Sequence, residues 1–235
     1  MTTNRLDGTS GADLRPIVTA AAPIVMLLGF AYHPYIAMPT DKAAVGEALT
    51  ADTARWGFSH LLVAVGSVLT ALAFLAVRDL FRAAGEDQWS RRGLPLVVAG
   101  SVLFAMLPAM EIGTLATTEV GADAEAVQTE LNAWFLPVLL AGGAIFLAGC
   151  VCFAVAVRRS HVLGPVASRA VPGALVVMAL MRVVPLGASF YVGGIAGLVA
   201  LLPLAVVMWH RPLGRAANPA AVDPAVAQDM DRSLA

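Results

Sequence analysis

Six apolar runs occupy most of the chain: residues 16–37, 57–77, 94–117, 134–157, 170–188 and 189–210. A helix needs about 20 predominantly apolar residues to cross the hydrocarbon of a bilayer, and each run is of that order. Hydrocarbon supplies no water to unpaired backbone groups, so each run must satisfy its own hydrogen bonds, as a helix does. The fold class that follows is all-α, a polytopic membrane helical bundle of six transmembrane helices. Composition agrees. Hydrophobic residues make up 59% of the chain and charged residues 13%, against roughly 25% charged in soluble domains. The first run is longer than the apolar part of a signal peptide and no clean cleavage site follows it, so it reads as a first span.

Three regions result. Residues 1–15 are polar and read as a disordered cytoplasmic lead, residues 16–210 as the six-helix transmembrane domain, and residues 211–235, rich in Ala and Pro, as a disordered cytoplasmic tail. Between the first two spans lies a polar loop at 38–55, with room for a short surface helix. The loop at 118–133 carries acidic residues and no Lys or Arg. Spans five and six are expected to meet in a tight turn near Gly187.

Charge sets the orientation. Of fifteen Lys and Arg residues, twelve fall in the lead, the second and fourth loops and the tail, and two in the other loops. By the positive-inside rule both termini are cytoplasmic. The expected location is a bacterial inner membrane, multi-pass, since a single lysine against fourteen arginines in an Ala- and Val-rich chain suggests a GC-rich genome. A net charge of −1 gives no footprint for nucleic acid.

Ionisable residues inside spans are costly, so they mark candidate sites. His33 lies near the outer end of span one, His60 just inside span two, Glu111 in the outer part of span three and Arg182 in that of span five. At 1.5 Å per residue all four are expected in one layer, roughly 5–9 Å below the outer surface. Tyr32, Tyr35, Thr114, Ser189 and Tyr191 are near enough to join them. Taken separately, the histidines are interfacial residues and Glu111 with Arg182 is a structural ion pair. Taken together they line a shared, partly wet cavity. His161 and His210 read as surface residues, and Met106, Met110, Met178 and Met181 as packing. Cys150 and Cys152 read as small apolar packing residues; two apart on a helix, they face different sides.

Three functions fit that layer. In the first, His33 and His60 bind a cofactor, haem or a transition metal such as iron, copper or zinc, with Glu111 completing a metal set. The protein is then an oxidoreductase or hydrolase-like enzyme acting on a lipophilic small molecule. In the second no metal is needed: Glu111 is a general acid in a cyclase or isomerase-like reaction, with His33 or His60 as its proton partner and Arg182 as the other catalytic residue. The third is a small transporter or a non-catalytic subunit of a membrane complex. No lysine lies in a span, which excludes a retinal Schiff base, and no Walker A loop, dinucleotide fingerprint or zinc-finger spacing occurs. Small residues at Gly193 and Gly197, and at Ala105, Ala109 and Gly113, suit close helix packing within the bundle or in a homo-oligomer.

Overall fold

The computed structural model describes residues 13–211. The expected lead and tail lie outside the described residues, apart from Asp13 to Arg15 and Arg211. The described residues form seven α-helices and no strand: α1 Arg15–Tyr32, α2 Lys42–Ala51, α3 Thr53–Ala83, α4 Gln88–Glu119, α5 Ala124–Ser160, α6 Pro165–Leu180 and α7 Gly187–His210. Five of them (α1, α3, α4, α5 and α7) are long and apolar enough to cross a membrane. The chain is a multi-pass membrane helical bundle. Apolar α6 has 16 residues, about 24 Å of helix, and falls short of the roughly 30 Å of hydrocarbon.

Each long helix packs on its neighbours in sequence, and α7 returns to α1, so α1, α3, α4, α5, α6 and α7 close a ring. The short helix α2 lies across one end, against α5 and α3; this is called the outer end below. The half of the ring away from α2 is solid. Phe74, Phe81, Phe146 and Phe153 are fully buried there, and the rings of Phe74 and Phe153 meet edge to face at 4.7 Å. The basic residues gather at the same end: Arg92 and Arg159 both lie over the Trp89 ring, at 5.4 and 5.9 Å.

Three helices start on an aspartate whose carboxylate accepts a backbone N–H of the first turn. Asp41 accepts from Ala44, Asp52 from Arg55 and Asp123 from Ala126. Glu86 does the same for α4, accepting from the amides of Trp89 and Ser90. Caps of this kind contribute about 1 kcal/mol each. The Asp123 cap sets α5 going ten residues before Trp134, so most of the expected loop at 118–133 is helix.

Two helices stop sooner than the apolar runs suggested. Helix α1 ends at Tyr32, not near residue 37, because Pro34 disfavours a helical conformation at His33. Helix α6 ends at Leu180, where a span to residue 188 was expected. Pro185 has no N–H to continue the ladder, and within a helix its ring would clash with the carbonyl of Met181. Residues 181–183 form a turn and 184–186 are extended, so Arg182 stands in a break between helices instead of inside a span.

Glycines set how closely the helices cross. A Cβ added at Gly100 of α4 would come 2.7 Å from the Cβ of Phe146, and one at Gly149 of α5 would come 2.6 Å from Val97. Gly194 of α7 meets Leu27 of α1 in the same way. Gly193 and Gly197 face Met181 and Met178, so that pair serves packing inside the bundle. Ala109 and Gly113 are exposed, and Gly113 has open space beside it. Gly100→Ala is therefore expected to destabilise the protein by about 1–3 kcal/mol through overpacking. Gly113→Ala should gain up to about 1 kcal/mol of helix propensity. Denaturation of the two variants in one detergent checks the contrast, and equal stabilities would contradict it.

Candidate functional site

Because α1 and α6 both stop short, the outer half of the ring is not filled. Where their last turns would run there are two non-helical segments, residues 33–41 and 181–186. Between them and the walls of α3, α4 and α5 is a cavity of about 320 Å³. That lies within the size range of small-molecule pockets. Its walls are mostly apolar, from Phe30, Val63, Phe104, Leu107, Phe135 and Leu139. His33, His60, Glu111 and Arg182 all line it. The four residues singled out from the sequence thus share one chamber.

They do not share one depth. The Arg182 guanidinium lies 4.4 Å from the ring centroid of Phe104 and 3.7 Å from that of Phe146. Phe104 is two helical turns, roughly 10 Å, further from the outer end of α4 than Glu111. Arg182 forms the floor of the chamber, resting on the aromatic plug, while Glu111 sits higher on its wall. The expected Glu111–Arg182 ion pair is not formed. Helix periodicity placed Arg182 too high because it assumed an unbroken fifth span.

Glu111 has other partners. Its Oε2 accepts from Gln128 Nε2 at 2.6 Å and lies 3.4 Å from the Thr114 hydroxyl. Its Oε1 has no hydrogen-bond partner among the described residues. Gln128 is 1% exposed and was missed from sequence, since Glu125 and Glu130 beside it look like loop. The signal was present in the helical spacing of Gln128, Asn132, Phe135 and Leu139, all of which line the chamber.

His33 and His60 stand together. Their ring centroids are 4.9 Å apart, and each ring also packs on Trp56. His33 Nδ1 lies 2.6 Å from the Pro34 carbonyl oxygen and His60 Nδ1 lies 2.8 Å from that of Trp56. A carbonyl can only accept, so each Nδ1 carries the proton and a neutral ring keeps its lone pair on Nε2. His33 is held in place by Arg55 of α3, whose Nε donates to the Tyr32 carbonyl at 2.6 Å and whose Nη2 lies 3.5 Å from that of His33. These bonds serve carbonyls left free by the end of α1.

Among the described residues no three of His, Cys, Asp and Glu come together as a metal set, so Glu111 does not join the two histidines. The 4.9 Å spacing also bears on haem. An imidazole bound at about 2.0–2.1 Å has its centroid about 3 Å from the metal, so a trans pair needs about 6 Å. Of the other candidates, Tyr35 and Tyr191 line the chamber, with rings 6.4 Å apart. Ser189 donates to the carbonyls of Val184 and Leu186 and fixes the break. Tyr32 faces away, against Phe58 and Arg55. Cys150 is fully buried in the plug.

Helix α2 closes the chamber from outside. Val45 and Leu49 are buried under it, and Gly46 lies close on the backbone of Ala124 and Glu125. Lys42, the single lysine of the chain, lines the chamber from this lid. Burial pushes its amine below the ordinary value of 10.5, and the nearby Glu111 carboxylate acts in the opposite direction. Only the free amine is acylated, so labelling of Lys42 should rise with a midpoint below pH 10.5. Glu111→Gln removes the raising influence and should move that midpoint lower still. Peptide mass spectrometry after acylation reads both values, and a midpoint at or above 10.5 in the unaltered protein would contradict this placement.

Comparison of the chain with protein-family models, with curated proteins and with solved structures gives no match, so the functional reading rests on the geometry of the chamber.

Proposed function

We propose that this membrane protein takes a lipophilic small molecule into the outer chamber and that Glu111 acts on it as a general acid. The observation that carries the reading is the chamber itself: an apolar-walled cavity of about 320 Å³ with polar groups of different chemistry gathered on its walls. Glu111 is the one carboxyl group among its lining residues. With Oε2 held by Gln128, Oε1 is the oxygen free to give a proton to a bound molecule. The Nε2 lone pairs of His33 and His60 can accept one. Reactions that need only proton movement, of the cyclase or isomerase type, fit this set. Entry from the bilayer is supported by Leu136 and Leu140, which are exposed outside the bundle and also line the chamber. We place the chamber on the outer side of a bacterial inner membrane with both termini cytoplasmic, on the asymmetry of Lys and Arg.

A second reading is favoured by one observation, the pairing of His33 and His60. Each has its Nδ1 tied to a backbone carbonyl, the support a metal-bound imidazole commonly has. In this reading the two Nε2 atoms hold one ion, iron, copper or zinc, and the bound molecule or water completes its ligands.

One preparation tests both readings. Protein purified in nanodiscs is extracted for lipid-soluble molecules and analysed for metals. The first reading expects a small molecule at near-stoichiometric amount that is missing from Leu107→Trp, which fills the chamber. Equal extracts from the two proteins, or an empty extract from the unaltered one, would overturn it. The metal reading expects a stoichiometric ion lost in both His33→Ala and His60→Ala; metal-free protein rejects it.

A further inference from the structure

The chamber has a floor that the proton chemistry of Glu111 does not use. Arg182 is 8% exposed, and it makes no side-chain hydrogen bond or ion pair among the described residues. Its Nη1 is buried without a partner. Its guanidinium rests on the faces of Phe104 and Phe146, which attract a cation but accept no conventional hydrogen bond. A buried, unpaired charge is among the most costly features a membrane protein can carry. Trp56 Nε1, on the chamber wall, is a second buried donor with no partner. Orphan donors of this kind call for acceptors from outside the chain.

We propose that Arg182 is the anchor for the acid group of the bound molecule, and that the ligand of the chamber is a lipophilic carboxylate. The inference rests on the chamber being a ligand site, and it adds the chemical class of the ligand. The guanidinium presents a planar fork of donors that matches a carboxylate with two parallel hydrogen bonds. The surroundings of the fork select a singly charged acid. A small pocket continues below the chamber between Met26, Phe30, Met178 and Phe190, and Arg182 is its one ionisable lining residue. A doubly charged phosphate there would meet one cation and aromatic walls. A carboxylate neutralises Arg182 one for one, and its hydrocarbon body lies along Phe30, Leu107 and Leu139. The same geometry makes the ligand enter acid group first, with its other end towards Glu111 and the histidines, where the proposed chemistry takes place.

The test is equilibrium binding of radiolabelled dodecanoate and dodecan-1-ol to the full chain in nanodiscs by scintillation proximity, with empty nanodiscs subtracted. The two probes share a chain length and differ in charge. The acid should bind about tenfold tighter or more, the usual scale for a charge-assisted hydrogen bond. Arg182→Gln should remove that preference and leave binding of the alcohol in place. The ratio in the unaltered protein stands whether or not the variant folds. Equal binding of acid and alcohol would overturn the anchor while leaving the chamber as a lipophile site. Binding of neither probe would overturn the chamber reading itself. Displacement of dodecanoate by acetate at equal concentration would show that a free anion suffices, and would also overturn the proposal.

Discussion

Two helix ends that stop inside an apolar slab determine the rest of this structure. A helix that ends within a membrane leaves carbonyls without partners, and lipid offers none. Here one end is served from another helix and the other by its own following turn. Arg55 donates to the carbonyls of Tyr32 and His33 at the end of α1. After α6 the amides of Met181, Arg182 and Val183 donate to the carbonyls of Val177, Ala179 and Leu180, and Ser189 donates to those of Val184 and Leu186 just beyond. The first of the two non-helical segments is also tied to the start of α7: the Gly187 amide donates to the Ala37 carbonyl at 3.0 Å. Gly187 is needed at this point, since a Cβ there would run into the carbonyl oxygen of Ile36. Once both ends are secured, the chamber is the space that two full helices would have filled.

The bundle therefore has two halves with different physics. The half with the basic end is dense, with Phe74, Phe146 and Phe153 fully buried and α4 and α5 crossing glycine against side chain. Stability comes from there, because buried apolar contact and close packing are what hold helices together when both solvent and neighbour are apolar. The outer half gives up such contact, and its cavity gathers His33, His60, Glu111 and Arg182. Arg182 belongs to both halves. Its guanidinium rests on the plug, and the residue lines the chamber.

The membrane class was legible in the sequence because hydropathy over 20 residues is a strong physical signal. The shared cavity was legible as well: His33, His60, Glu111 and Arg182 line it, as ionisable groups in apolar runs are expected to turn inwards. Their relative depth was not legible. Depth was counted along unbroken helices, and Pro34 and Pro185 break two of them. A proline can kink a membrane helix or end it, and local sequence does not decide which. Gln128 was hidden for a different reason. A polar residue among acidic neighbours reads as loop until the Asp123 cap shows that α5 begins early.

The central claim is that the outer half is hollow because α1 and α6 end early. The most direct measurement is electron cryo-microscopy of the protein in lipid nanodiscs at side-chain resolution. The expected map shows helix ending at Tyr32 and at Leu180, extended chain through Pro185, and elongated density between Arg182 and Glu111. A map with continuous helix from Pro165 through Arg182 to Gly187, and side chains filling the space around His33 and His60, would contradict the claim.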